Sequence, residues 1–196
     1  MIVIQARSNS KRLPGKIMEE IGGTPIIRHV YNSCTNSGLF TVVAVPTGDK
    51  VIEYLKEEHI PYFEGSEDDV LGRFYHCART FKENHIFRVT ADCPLLDHAY
   101  ILALNVFKNQ VAFGCTQGVD GQNVEMFSME LLELAHKEAQ GDDREHVTTW
   151  MRKYVDKENK PRMIHNIPIP SEKMSVDTQE DLERVRGMYA NRHPSN

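Results

Sequence analysis

The sequence predicts an α/β fold, a mostly parallel sheet with helices on both faces. Short apolar runs alternate with longer amphipathic stretches from one end of the chain to the other, as strands joined by helical crossovers do. A length of 196 residues, with 40% hydrophobic and 26% charged residues, suits one domain with a substantial core. No internal repeat, low-complexity stretch or long linker interrupts the alternation, so residues 1–196 read as a single domain.

Taken in order, Ile2–Ala6 reads as a buried strand. Thr24 is placed to cap a helix with Pro25 at its first position, running to about Ser37. Phe40–Val45 is a second strand, Asp49–Glu58 a helix and Ile60–Phe63 a third strand. Asp68–Glu83 has helical spacing, with Val70, Leu71, Phe74, Tyr75 and Ala78 as its apolar positions. Ile86–Ala91 is a fourth strand, and Asp97 is placed to cap a helix reaching Lys108. Strands follow at Val111–Cys115 and Asn123–Phe127, then a helix at Met129–Ala139. Asp142-Asp143-Arg144-Glu145 reads as a capping box opening a helix to about Val155. Met163–Ile169 alternates like a half-buried strand, Thr178–Ala190 is a final helix, and Asn191–Asn196 reads as a frayed tail. Ligands of such sheets bind beyond the carboxyl ends of the strands, which directs attention to the loops after Ala6, Ala91 and Cys115.

A formal net charge of -5 argues against a nucleic-acid partner, because that role needs a net basic face. A local basic loop in an acidic protein can still hold a small polyanion. Cys34, Cys77, Cys93 and Cys115 form no C-x-x-C pair, so buried thiols in a reducing cytosol are expected rather than a zinc site or disulfide framework. The apolar run Met1–Ile4 is too short for a signal-peptide core or a membrane span. A cytoplasmic protein without a membrane partner is expected.

Between the first strand and the first helix lie Arg7, Lys11, Arg12 and Lys16, with Pro14 and Gly15 shaping the turn. Cations, hydroxyls and free backbone amides on one loop suit a triphosphate. Arginine grips phosphate oxygens bidentately, and lysine acts as a compact point charge. A solvated basic loop is the plainer reading of the same charges. A Walker loop is excluded, because Ser10 replaces its first glycine and Ile17 follows the lysine. The dinucleotide fingerprint is absent after the first strand.

The run Gln5-Ala6-Arg7-x-x-Ser10-x-Arg12-Leu13-Pro14-Gly15-Lys16 resembles the signature loop of sugar-activating cytidylyltransferases. These include the CMP-KDO and CMP-sialate synthetases and, most closely, the spore-coat-polysaccharide-type enzymes. Blocks at Gly65–Arg73, Arg88–Asp97, Val124–Ser128, Asp143–Thr148 and Val176–Leu182 match in the same order, so the resemblance covers nearly the whole chain. Asn9 and Ala91 stand where the family usually has glycine, and Met174 and Gln179 replace a common tryptophan and proline. Residues 114–122 are shorter than in relatives, where this stretch helps form the acceptor side.

The resemblance implies the Rossmann-like nucleotide-diphospho-sugar transferase fold. It implies a Mg2+-dependent transfer of CMP from CTP to a sugar or sugar-acid acceptor, with release of pyrophosphate, in surface polysaccharide or glycan biosynthesis. Nucleotide binding falls to Ala6, Arg7, Ser8, Asn9, Ser10, Arg12, Lys16 and Arg73. Catalysis falls to Arg7, Lys16, Asp92 and Asp177, with Asp92 and Asp177 as magnesium ligands. Glu125, Arg144 and His146 fall on the acceptor side. Relatives often pair, so a homodimer is expected.

The residues themselves leave alternatives open. Magnesium takes few protein carboxylates and fills its shell with phosphates and water, which suits two aspartates from separate loops. Asp177, beside Thr178 and Glu180, also reads as a plain helix cap. Asp92 has no helix to cap before Asp97. Arg73 lies within an expected helix, and Asp142 and Glu145 are capping candidates that would leave Arg144 exposed. Neither H-E-x-x-H nor a nucleophile elbow occurs, so no covalent nucleophile is nominated. Two other classes compete: a glycosyltransferase using a sugar nucleotide, whose Asp-x-Asp motif is missing here, and a non-catalytic nucleotide-binding relative.

Overall fold

The computed structural model describes residues 1–166 and 172–193. Its first half runs β1 (Ile2–Gln5), β2 (Glu20–Ile21), β3 (Thr24–Pro25), α1 (Ile26–Asn36), β4 (Thr41–Pro46), α2 (Val51–Glu57), β5 (Tyr62–Gly65), α3 (Val70–Phe81) and β6 (His85–Thr90). The second half runs α4 (Ala99–Asn105), β7 (Phe113–Gln117), β8 (Glu125–Ser128), α5 (Met129–Glu138), α6 (Asp142–Glu145), α7 (Thr149–Lys157), β9 (Arg162–Asn166) and α8 (Gln179–Arg192).

The main sheet has the order β5-β4-β1-β6-β8-β7-β9. Strand β8 alone runs against its neighbours β6 and β7; the other pairings are parallel. β1 occupies the centre because it is apolar on both faces: Ile2, Val3 and Ile4 are fully buried. Ile2 and Ile4 pack with Ile27, Val30, Leu55 and Ile101 on one face. On the other, Val3 packs with Phe74, Leu132 and Met151. A smaller apolar cluster joins Ile21 and Ile26 to Leu95, Val176, Leu182 and Val185, anchoring α8 beside the loops that follow β1 and β6. All four cysteines are buried thiols. Among the described residues no helix is long and apolar enough to cross a membrane.

The structure revises several local expectations. Thr24 and Pro25 do not open a helix; they form β3, paired antiparallel with β2, and α1 starts at Ile26 without a side-chain cap. The expected helix from Asp142 to Val155 is two helices. Its capping box is absent, since Gly141 is the N-cap of α6, with φ 55 and no side-chain cap. The capping box lies instead on α8, where Thr178 and Asp181 satisfy each other's amides. Asp177 is therefore not the cap. The strand expected over Met163–Ile169 is β9 as far as Asn166, and residues 167–169 and 194–196 lie outside the described residues.

Candidate active site

A cleft of about 510 Å³ opens at the carboxyl ends of β1 and β6, where a ligand of such a sheet belongs. Its cations Arg7, Lys11, Arg12 and Lys16 come from the loop after β1. That loop is folded by its own hydrogen bonds. The Ser8 amide donates to Asp49 Oδ2 at 2.9 Å, and the Ser8 hydroxyl donates to the same carboxylate. The Gly15 amide closes the turn on the Ser8 carbonyl at 2.9 Å. Gly15 has φ 75, which a side chain would resist, and it turns the chain into a short 3-10 segment, Lys16–Met18. Asn9 keeps a negative φ, so its place at a usual glycine position needs no left-handed backbone.

This segment buries Lys16 with only 8% exposure. Its ammonium donates to Asp92 Oδ2 at 2.9 Å, to Asp177 Oδ1 at 2.9 Å and to the Val176 carbonyl at 2.7 Å. Arg12 also reaches Asp177 Oδ1, at 2.7 Å, and Lys173 holds Asp177 Oδ2 at 2.8 Å. Burial pushes the Asp177 carboxyl up, but hydrogen bonds from Lys173 and Lys16 outweigh it and hold the group at about 2. Asp92 and Asp177, 85 positions apart in the chain, thus converge on one positive charge. Two hard oxygen donors facing one point beside a cationic cleft fit a divalent cation that draws its other ligands from phosphates and water. Among the described residues no group of three or more His, Cys, Asp or Glu side chains could hold a metal.

The two aspartate loops are braced against each other. The Val176 amide donates to the Asp92 carbonyl at 2.9 Å. Gln122, 4% exposed, donates to the Leu95 carbonyl at 2.6 Å and accepts from the Asp97 amide at 2.8 Å. The Met174 amide donates to the Asp120 carbonyl at 2.7 Å, and the Ser175 hydroxyl donates to Asp120 Oδ2 at 2.9 Å. Gly121, at φ 101, lets the chains touch: an added Cβ would lie 2.4 Å from the Met174 carbonyl carbon. Asp120 and Gln122 therefore brace the loops that carry both aspartates.

Ala6, Arg7, Ser10, Arg12, Lys16, Asp92 and Asp177 line the cleft together. Ser8 and Asn9 line an adjoining hollow with Asp49 and Glu67. Arg73 is 2% exposed, donates to the Ser66 carbonyl at 2.7 Å and leaves its Nε without a partner. Burial, with Arg7 nearby, lowers its pKa to about 10.

The expected acceptor residues do not line this cleft. Glu125, 7% exposed, binds Arg88, Arg152 and the Thr148 hydroxyl, the latter two at 2.7 Å. Burial raises its carboxyl, but the Arg88 charge and the bonds from Arg152 and Thr148 bring it below the ordinary value. Arg144 is bidentate to Asp69, at 3.0 and 2.6 Å, and also donates to the His136 and Ala139 carbonyls. It ties α5 and α6 to the start of α3. His146 follows α6 on the surface.

Several cleft residues carried no assignment from sequence. Gln5 ends β1 and accepts from Arg88 Nε at 2.9 Å. Because arginine only donates, this contact fixes the amide oxygen toward Arg88 and leaves the NH2 group for the cleft. Glu145, taken for a capping residue, lines the cleft, as does Thr90. Lys173 completes the cluster on Asp177. Only the position of Gln5 beside the loop signalled any of this; the rest depends on contacts distant in sequence.

Residues 1–191 match the protein family described as cytidylyltransferase. An uncharacterised protein of Methanocaldococcus jannaschii is 31% identical over 158 residues, which cover 76% of this chain and 65% of that protein. The chain thus spans just under two thirds of that relative's length. The spore coat polysaccharide biosynthesis protein SpsF of Bacillus subtilis is 25% identical over 213 residues, covering 96% of this chain and 85% of that protein. The structure of a cytidylyltransferase from Leptospira borgpetersenii superposes with a TM-score of 0.89 at 26% identity, covering 99% of this chain and 87% of that one. With a central β1, a basic loop after it and a family match over almost its whole length, the chain belongs to the cytidylyltransferase family.

Proposed function

We propose that the protein transfers CMP from CTP to a sugar or sugar-acid acceptor and releases pyrophosphate, working with Mg2+ held by Asp92 and Asp177. The observation that carries this reading is the convergence of both carboxylates on Lys16 at the mouth of a cleft lined by Arg7, Lys11 and Arg12. Membership of the cytidylyltransferase family supports the choice of CTP. The naming of one relative for spore coat polysaccharide biosynthesis supports a glycan context. We also take residues 1–196 as one nucleotidyltransferase domain.

In this mechanism Arg7, Lys11 and Arg12 grip the β- and γ-phosphates from the loop side. Lys16 neutralises charge on the leaving pyrophosphate. An acceptor hydroxyl oxygen attacks the α-phosphorus in line and gives up its proton to solvent, while the bond from the α-phosphorus to the oxygen bridging it to the β-phosphate breaks and pyrophosphate leaves with that oxygen. Asp92 and Asp177 would hold a magnesium ion, which would supply charge compensation at the phosphate oxygens and would acidify a nearby hydroxyl. On the acceptor side, the free NH2 of Gln5 donates to an acceptor oxygen, and Glu145 accepts from its hydroxyls. Glu125 and Arg144 hold this wall from behind, Glu125 through Arg88 and Gln5, Arg144 through the α6 tether. His146, exposed after α6 and outside the cleft lining, takes no part in this mechanism.

The test is pyrophosphate release from CTP and magnesium across a panel of sugars, sugar acids and sugar phosphates. Thermal shifts with each nucleoside triphosphate accompany it, and selective stabilisation by CTP is expected. No release with any acceptor together with no CTP binding by calorimetry would sink the reading. CTP binding without turnover on any acceptor favours a non-catalytic relative.

A further inference from the structure

We propose that Lys16 is a resident counter-cation of the two-aspartate site: in the free protein it keeps divalent cations out, and it yields the place only when a triphosphate arrives. The inference rests on the reading of Asp92 and Asp177 as metal ligands. An ammonium group has three donors, and Lys16 spends all three, on Asp92, Asp177 and the Val176 carbonyl, at 2.7–2.9 Å. It therefore occupies the point on which the two carboxylates converge. Asp177 has little left to offer a metal, since Arg12 shares its Oδ1 and Lys173 holds its Oδ2.

The charges of the cleft point the same way. Its lining carries four cations, Arg7, Lys11, Arg12 and Lys16, against three carboxylates, Asp92, Glu145 and Asp177. A bare divalent cation gains little from a wall with a surplus of positive charge. A triphosphate gains much. Once bound, its oxygens become new partners for Arg12 and for the Lys16 ammonium, which rides on a flexible four-carbon stem. The carboxylates are released while the phosphates add oxygen donors beside them, which is the mixed shell magnesium prefers. Nucleotide binding and metal binding are then linked: each strengthens the other, and the metal alone binds weakly.

The experiment titrates Mn2+ into the full-length protein and counts free ion by electron paramagnetic resonance. Wild type is compared with Lys16→Gln, Lys16→Met and the double variant Lys16→Gln/Asp92→Asn, with circular dichroism as a check on folding. Wild type is expected to bind Mn2+ weakly. Either lysine variant is expected to bind at least about tenfold more tightly, because one unit charge has left the centre of the site. The double variant is expected to lose that gain, which locates the ion at Asp92. Tight Mn2+ binding by wild type alone overturns the proposal and needs no variant. Folded lysine variants that bind no better than wild type also overturn it. A separate calorimetric titration with CTP tests the proposed function; its failure leaves the Mn2+ comparison readable.

Discussion

Glu125 offers the sharpest test of the buried ion network that joins β8 to β6 and α7. Its side chain is 9% exposed and faces two arginines and the Thr148 hydroxyl. Glu125→Gln keeps the shape, removes the charge and turns an NH2 donor toward one arginine, itself only a donor. Breaking a buried pair in this way costs about 3–5 kcal/mol. Arg152, with 48% of its side chain exposed, can swing to water, whereas Arg88 at 21% cannot. The lower end, about 3 kcal/mol, is therefore expected, which for a chain of this size lowers Tm by about 6–12 °C. Thermal melts of both proteins by circular dichroism measure it.

The pH dependence has a definite sign. The folded carboxyl lies below its ordinary value of 4.5. Its contribution is full above the unfolded pKa and is lost as pH falls through the folded one. The wild-type advantage should thus hold at neutral pH and shrink progressively below about pH 4.5. A Tm change under about 2 °C, or a gap that persists undiminished in acid, would refute the network as a source of stability.

Other outcomes follow from the same structure. On the proposed function, Asp92→Asn and Asp177→Asn should each lower kcat by about 10²–10³ while leaving the far-ultraviolet spectrum unchanged, because each would remove charge at the reacting phosphate and not from the apolar core. Gly121→Ala should cost at least about 2 kcal/mol in urea unfolding, since its φ and the Met174 backbone both oppose a Cβ. Burial pushes the Cys77 thiol up to about 12 and raises that of Cys93 strongly. Neither should react with iodoacetamide at pH 8 until the protein is unfolded.

The frame was legible where one physical signal dominated. An uncharged apolar run such as Ile2–Ala6 can only be buried on both faces, so the central strand and the loop at its end followed directly. Asp92 stood out because it had no helix to cap. The hairpin of β2 and β3 was not legible, because Thr24-Pro25 carries the chemistry of a helix start. What decides against it is the burial of Ile21 in one cluster with Leu182 and Val185 of α8, far along the chain. Arg144 looked like a surface cation at a helix start. Its partner Asp69 lies 75 residues earlier, and no local pattern announces such a pair. The role of Thr178 was readable: Thr178-x-x-Asp181 is a capping pair, and such a pair leaves Asp177 outside the cap.

Asp177 stands one residue before a cap that satisfies the first amides of α8 without it, and the Asp177 amide itself donates to Asp181 Oδ2 at 2.9 Å. The helix start thus fixes the backbone of Asp177 while leaving its carboxylate free to face Lys16. Asp92 is fixed differently, by the end of a central strand. Two carboxylates positioned by unrelated devices stay in register only if something measures the distance between them. The Val176–Asp92 contact and the Asp120–Gln122 brace do this. A longer segment at 114–122 is not needed for that purpose, because the brace uses only its last residues. On the proposed function, the length of the rest of this segment is then free to differ with the acceptor while both aspartates keep their places.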